Sequence, residues 1–376
     1  MSARKKFLQV YDYITNCCFE REEEALLMLA AVAARQHVFL IGQPGTAKSM
    51  MIQKMLECFA DDVEYFDKLL TKETSKDEIF GMPDIKELKQ GNYKYNYKGF
   101  LPTAHFAYLD EVWKCNSGTL NALLTAINER LFHDGVDTVE IPLQTLFTAS
   151  NELPQDESLQ ALYDRMLVRM EIPRLLKQSS KMKLIDRIDG VDPEPDPPEV
   201  LTLDVLQQAY EESKEVTFDD AARDKWAELQ QKLHMEMADS VYISDRRWAM
   251  AYQGLKRVVW MNGGDKITKD DFVFLTNMLW EEPQQRSQIG SILSDYMGVL
   301  TNKAQELYNR LQSAHEDIAE GVVAASDLPD VYANAKQWKQ KLDDEEGDSA
   351  VFQMYKDKFD NLFEDIKQQY LDHMGL

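Results

Sequence analysis

Nothing in this 376-residue chain approaches the roughly 18 consecutive apolar residues that a membrane-spanning helix needs. Its opening residues, Met1-Ser2-Ala3-Arg4-Lys5-Lys6, lack the apolar core of a secretory leader, so a cytoplasmic protein is expected. Cysteine is scarce: Cys17, Cys18, Cys58 and Cys115 form no CxxC pair, which points to reduced, mostly buried thiols. The six histidines are scattered and make no HExxH, so a zinc enzyme is not expected. Basic charge is in deficit too. Against 65 Asp and Glu stand 42 Lys and Arg, a formal net charge of −23, and no basic run gives a local exception. Such a surface repels phosphate backbones and makes nucleic acid a poor first partner. With 44% hydrophobic and 28% charged residues, the chain is ordinary soluble material with room for two or three domains.

What is present is organised around residues 38–49. Val38 to Ile41 is an apolar run of strand type; Gly42-Gln43-Pro44-Gly45-Thr46-Ala47 is a turn that leaves its backbone open; Lys48-Ser49-Met50 begin a helical pattern. A strand, a glycine-containing loop and a helix N-terminus in that order cradle phosphate with backbone N–H groups. Lys48 would reach the β- and γ-phosphates of ATP, and the Ser49 hydroxyl would sit on Mg²⁺. Alanine at 47 replaces the usual second glycine, which is tolerable only if its φ is negative. The competing reading is a plain turn between a buried strand and a helix. A second apolar strand, His105 to Leu109, closes with Asp110-Glu111. There Asp110 would hold the hydrated Mg²⁺ and Glu111 would polarise the attacking water, whereas two solvated acids capping a strand is the blander account.

The rest reads in order. Phe7, Val10, Tyr11 and Ile14 mark one helix and Ala25 to Val32 a second; at the break, Phe19 and Glu20 either line an adenine pocket or form a simple helix-turn. Val63 to Phe66 is strand-like. Within Thr74 to Pro102, Ile85–Leu88 and Tyr93–Tyr97 flank Gln90-Gly91-Asn92 and predict a hairpin whose aromatic side is packing or a contact surface. Leu120 to Ile127 is an amphipathic helix, and Leu131 to Val139 predicts a second hairpin turning on Asp134-Gly135. Leu143 to Ala149 is a buried strand that delivers Asn151 to the edge carrying the phosphate loop, where its amide orients water or caps a turn. Arg165 and Arg169, four apart, either pair with Asp164 and Glu171 or supply a finger to a neighbour's γ-phosphate. The acidic, proline-rich stretch 189–199 breaks the chain, and four helical patterns between Leu203 and Leu279 read as a lid. Arg246, beside the N-cap candidates Ser244 and Asp245, either reaches back to the nucleotide or snorkels on the surface. Beyond Pro283, Ile289 to Leu311 marks one long helix and Phe352 to Tyr370 another, predicting an antiparallel helical appendage. The expected division is an αβα nucleotide-binding domain at 1–190, a helical lid at 200–282 and a helical extension at 283–376.

In these motifs the chain resembles the MoxR branch of the AAA+ ATPases, and within it the RavA subfamily most. The resemblance is carried by Gly42 to Ser49, by Leu109-Asp110-Glu111-Val112-Trp113-Lys114 and by Leu123 to Arg130. Ala149-Ser150-Asn151-Glu152-Leu153-Pro154, Leu162 to Met166 and Ser244-Asp245-Arg246-Arg247-Trp248 add to it, and the likeness spans about residues 5–285. It implies an α/β AAA+ P-loop fold with helix-2-insert and pre-sensor-1 hairpins and a helical lid, assembled as a homo-hexamer that binds ATP and Mg²⁺ between subunits. By matching positions, Lys48 and Ser49 form the phosphate loop and Asp110 and Glu111 the magnesium and water-activating pair. Asn151 would be sensor 1, Arg165 the trans-acting finger and Arg246 sensor 2. The expected work is remodelling of a protein client, often beside a von Willebrand A domain protein. Two rivals remain: the motor subunit of a nucleic-acid machine, and a nucleotide-gated scaffold with slow turnover.

Overall fold

The apolar run before the phosphate loop becomes β1 (His37–Ile41), buried at every residue within a five-stranded parallel sheet in the computed structural model of the chain. The structure describes residues 2–135, 137–155, 157–237, 240–319, 321–323, 325–347 and 349–374. Strands β2 (Tyr65–Leu69), β5 (Phe106–Asp110), β8 (Thr145–Ser150) and β9 (Met166–Glu171) lie with it in the order β2-β5-β8-β1-β9. Unbroken apolar runs such as Val38-Phe39-Leu40-Ile41 suit strands covered on both faces, as parallel sheets require. The register aligns the carboxyl ends: Ile41 pairs with Ser150, and Ala149 with Asp110. Gly42, Asp110 and Asn151 therefore emerge side by side on one edge. β2 starts two residues later than its sequence pattern suggested, because Tyr65 pairs with Phe106 and Glu64 stays outside the ladder, its amide donating to His105 Nδ1.

Helix α1 (Ala3–Cys17) packs beside α2 (Glu22–Ala34), which is apolar almost all round and lies between β1, β9 and the lid. After α3 (Lys48–Leu56) and the short α4 (Asp77–Phe80), the insert differs from expectation. Its paired strands are β3 (Met82–Pro83) and β4 (Tyr95–Asn96), while residues read as the first strand form α5 (Ile85–Lys89). Asp84 causes this by accepting the amides of Lys86 and Glu87 as an N-cap. After α6 (Ser117–Glu129), the second hairpin pairs β6 (Leu131–Asp134) with β7 (Asp137–Glu140). Asp134 is thus a strand residue, and the chain leaves β6 at Gly135, with φ +67°; Val136 lies outside the described residues. A Cβ on Gly135 would sit 1.8 Å from Tyr93 O, so the position tolerates only glycine. The two inserts pack together: Phe132 meets Phe80, Tyr95 and Tyr97, and Asp134 Oδ1 accepts the Tyr95 amide. Tyr95 and Tyr97 are packing residues, while Tyr93 stays half exposed.

Past α7 (Glu157–Tyr163) and α8 (Gln178–Ile188), the lid region holds α9 (Leu203–Lys214), α10 (Asp220–Met237), α11 (Asp245–Met261) and α12 (Thr276–Leu279). A two-residue bridge joins β10 (Thr217–Phe218) to β11 (Lys266–Ile267). The single helix expected over 289–311 is broken into α13 (Arg286–Ser294) and α14 (Val299–Ala319). Asp270, from another element, accepts the Gly298 amide and the Thr301 hydroxyl and so starts a new helix there. Then come α15 (Leu328–Asp343) and α16 (Ala350–Met374). Gln305 donates to the Tyr355 hydroxyl and His315 meets Asp365, so α14 and α16 run parallel; α15 makes the antiparallel return, with Tyr332 stacked on Tyr370 and Lys339 on Asp360. The expected antiparallel pairing of the two long helices is thereby corrected. Nor is this unit a free appendage. Lys358 donates to Glu23 Oε2 on α2 at 2.7 Å, and Asp365 accepts from Ser179 on α8. All four cysteines are free and buried.

Candidate active site

The loop after β1 is shaped by close backbone approaches. A Cβ on Gly42 would lie 2.6 Å from Ile172 O, so the first glycine is required for the strand to pass its neighbour. Gly45 has φ +80° and Ala47 φ +68°. The expectation of a negative φ at 47 is therefore wrong: the N-cap of α3 is left-handed, and alanine carries a strain of about 1 kcal/mol there. Thr46 Oγ1 donates back to Gln43 O and closes the turn, with Pro44 at its exposed tip and Met50 in the first turn of α3.

Lys48 is nearly buried, and its ammonium donates to Gly42 O at 2.7 Å, Gln43 O at 3.0 Å and Asn151 Oδ1 at 2.9 Å. Burial lowers its proton affinity, against the opposing pull of Asp110 and Glu111. Ser49 donates to Asp110 Oδ2 at 3.3 Å and accepts from the Tyr108 hydroxyl at 2.8 Å. Asn151 turns its other amide atom to Glu111, Nδ2 donating to Oε1 at 3.0 Å, while Lys114 Nζ lies 3.3 Å from Oε2. Glu111 itself sits at φ +52°, a left-handed position that turns the chain sharply after β5. One amide thus links Lys48 to Glu111. Tyr108 and Lys114 were missed from sequence; the period-2 alternation of β5 already put Tyr108 on the same face as Asp110.

These residues fit a nucleoside triphosphate with Mg²⁺. The first-turn amides of α3 are anion donors, and Lys48 is held by neutral oxygens that phosphate oxygens can replace. The hydroxyl–carboxylate pair of Ser49 and Asp110 is an all-oxygen set of the kind Mg²⁺ takes when phosphate and water complete its shell.

Three arginines fall elsewhere. Arg165 immediately precedes β9, roughly 20 Å of strand away from the phosphate-loop edge, and its charge acts on His37 at the first residue of β1. Its guanidinium donates to Asn128 Oδ1 and Ala161 O. Arg246 lies beside it, 58% exposed and 3.7 Å from Asp164. From the opposite edge of the sheet it does not reach back to this chain's own phosphate loop. Arg169 is 1% exposed and donates to the carbonyls of Tyr163, Met166 and Trp280, with its guanidinium 3.6 Å over the Tyr163 ring, so it is a packing residue and cannot cross a subunit boundary. Arg247, given no role of its own in the sequence analysis, is equally buried and fastens α11 to the carbonyls of Asp164, Met166 and Leu167. At the helix break, the Glu20 carboxylate accepts the amides of Leu176 and Lys177, and Phe19 lies under Arg187.

The family described as the MoxR domain in MoxR-vWA-beta-propeller ternary systems matches residues 5–188, and an AAA lid domain matches residues 224–293. An uncharacterised protein of Methanocaldococcus jannaschii is 34% identical over 278 residues, covering 74% of this chain and 72% of its own. The chain belongs to the MoxR branch of the AAA+ ATPases. A second uncharacterised M. jannaschii protein is 33% identical to this MoxR chain over 302 residues, covering 80% and 76% of the two. Structural protein ORF618 of Acidianus two-tailed virus is 28% identical over 185 residues, 47% of the MoxR chain and 30% of that protein. A crystal structure assigned as an ATPase from Cytophaga hutchinsonii matches with a TM-score of 0.62 over 79% of the MoxR chain and 95% of its own, at 17% identity, a likeness of fold. No described helix is long and apolar enough to cross a membrane.

Proposed function

We propose that this chain hydrolyses ATP within a ring of its own copies, a hexamer as the AAA+ resemblance implies, and uses the cycle to remodel a protein client in the cytoplasm. The observation that carries this reading is a division of the catalytic groups. Lys48, Ser49, Asp110, Glu111 and Asn151 converge on the carboxyl edge of the sheet, and Arg165 and Arg246 lie together on the amino edge. A site of this kind is completed by a neighbouring copy, whose Arg165 and Arg246 would meet the γ-phosphate. Asn151 would exchange Lys48 for the γ-phosphate, leaving Lys48 to neutralise phosphate oxygens. Glu111 would accept the proton of the water that attacks phosphorus as the bond to the β-phosphate oxygen breaks, and positioning with electrostatics would supply the rate. Mg²⁺, held by Ser49 and Asp110, would offset charge on the β- and γ-oxygens.

The matched family supports a von Willebrand A domain protein as partner, with a β-propeller protein as a third component. The RavA likeness rests on the motifs quoted above. The division proposed remains 1–190, 200–282 and 283–376, the last unit bearing on the first through Glu23 and Lys358. The net charge of −23 disfavours a nucleic-acid motor. ATP turnover per chain, measured from dilute to concentrated protein with Glu111→Gln as blank and mass followed in parallel, is expected to climb as oligomers form. A flat rate from monomers would remove the shared site and leave a monomeric switch.

A further inference from the structure

Strand β5 carries a hydroxyl in an otherwise apolar interior. Tyr108 stands between Asp67 of β2 and Phe147 of β8 in the ladder, is 6% exposed, and donates its hydroxyl to Ser49 Oγ at 2.8 Å. Its neighbours along the strand, Phe106, Ala107 and Leu109, are apolar and buried, and a phenylalanine ring would fill the space of the tyrosine ring. The hydroxyl is therefore an addition that packing does not call for. Buried phenols find an acceptor, and most side-chain hydrogen bonds go to backbone or water. This one goes to the side chain that the site offers to Mg²⁺.

The consequence follows from protons and lone pairs. A serine hydroxyl has one proton to give and two lone pairs to offer, and a phenol keeps its proton at neutral pH. The bond from Tyr108 therefore occupies one lone pair of Ser49 and turns the serine proton toward Asp110 Oδ2, 3.3 Å away. Asp110 is fixed in turn, because its Oδ1 accepts the Glu111 amide at 2.9 Å and leaves Oδ2 to Ser49. The Ser49 oxygen is thus held from two sides with a single lone pair unclaimed. Mg²⁺ demands near-ideal octahedral geometry, whereas Ca²⁺ accepts a larger and more flexible shell of oxygens. A ligand oxygen pinned between a strand interior and the start of α3 favours the stricter ion.

We propose that Tyr108 is a positioning residue for the metal: its hydroxyl holds Ser49 Oγ in the orientation that suits Mg²⁺ and so sets a preference for Mg²⁺ over Ca²⁺. The inference rests on the nucleotide-site reading above, and Tyr108 reaches the reaction only through Ser49. The test is a double-mutant cycle on the full chain, read as calorimetric binding of a non-hydrolysable ATP analogue with Mg²⁺, with Ca²⁺ and with neither ion. Tyr108→Phe is expected to weaken Mg²⁺-dependent binding roughly fivefold, the scale of one neutral hydrogen bond, and to alter Ca²⁺-dependent binding by less than about twofold. In a Ser49→Ala chain the same substitution is expected to change neither. During turnover, the Mg²⁺ concentration that gives half the maximal rate is expected to rise, while the maximal rate stays within about twofold of the parent's. Should Tyr108→Phe not fold, Tyr108→Leu, an apolar residue suited to a buried strand, takes its place in the cycle. Equal losses with both ions, or a loss that persists in Ser49→Ala, would assign the hydroxyl to packing and overturn the proposal. A variant that binds like a parent which itself responds to Mg²⁺ removes this inference alone; a parent that binds the analogue with neither ion removes the nucleotide-site reading as well.

Discussion

His37 shows how one side chain sets a response of the whole fold. It is the first residue of β1, buried, with Nδ1 accepting the Leu146 amide at 3.0 Å, and burial with the nearby charges of Arg130 and Arg165 pushes its pKa down to about 3. An unfolded histidine takes its proton near pH 6.5. Between about pH 6.5 and 3 the unfolded chain therefore holds a proton that the folded chain refuses, and stability falls as the pH is lowered through that window. At pH 5 this amounts to about 2 kcal/mol relative to pH 7.5. His37→Asn, which keeps an acceptor near Nδ1, is expected to flatten that part of the pH dependence in urea titrations at the two pH values. An unchanged slope would place the acid sensitivity elsewhere. The meeting of these residues at one edge was legible in sequence because each stands at or just past the end of a strand whose register the sheet enforces: Asn151 meets Lys48, Asp110 meets Ser49 and Glu111 meets Asn151. Arg246 was not, since the edge on which a helix start lands depends on how the lid packs, and Arg247 decides that by binding three carbonyls at the start of β9.

Among elements, the phosphate loop carries its strain unevenly. Gly45 and Ala47 both sit at positive φ, but only the first is a residue that pays nothing for it. Gly45→Ala, with open space around its Cβ, is expected to cost about 1 kcal/mol through backbone strain alone, while Ala47→Gly changes stability by less than about 0.5 kcal/mol because relief of strain offsets the added freedom of the unfolded chain. Thermal midpoints of the two variants, compared without nucleotide, check the pair; equal losses would refute it. Elements governed by local periodicity, such as β1, α2 and α11, were read from the sequence. Those set by a distant side chain were not. Asp84 turns an apparent strand into α5, and Asp270 cuts the long C-terminal helix before α14; in neither case does the hydrophobic spacing of the altered segment carry the information.

For the whole molecule, the proposed sharing of groups on opposite edges would make the contact between copies heterologous, one face meeting a different face, as a closed ring requires and a two-fold pair does not. Lys48→Ala and Arg165→Ala chains, each inactive alone, are then expected to recover about one quarter of the parent's turnover when mixed equally, since a random ring gives that share of intact interfaces. No recovery from rings that mass measurement shows to be mixed would mean that the two residues serve the same site within one chain. The parallel course of α14 and α16 was beyond the sequence, because helices of similar apolar stripe pair either way and only α15 fixes the direction.

The contact between Glu23 and Lys358 spans 335 residues of chain. During synthesis at roughly 5–20 residues per second, Glu23 is made on the order of half a minute before its counter-charge emerges from the ribosome. The nucleotide-binding half is therefore finished last at its own beginning. A message cut short before α16 yields a chain whose second helix keeps an acid without its counter-charge, so the arrival of α16 is read out as order more than three hundred residues earlier.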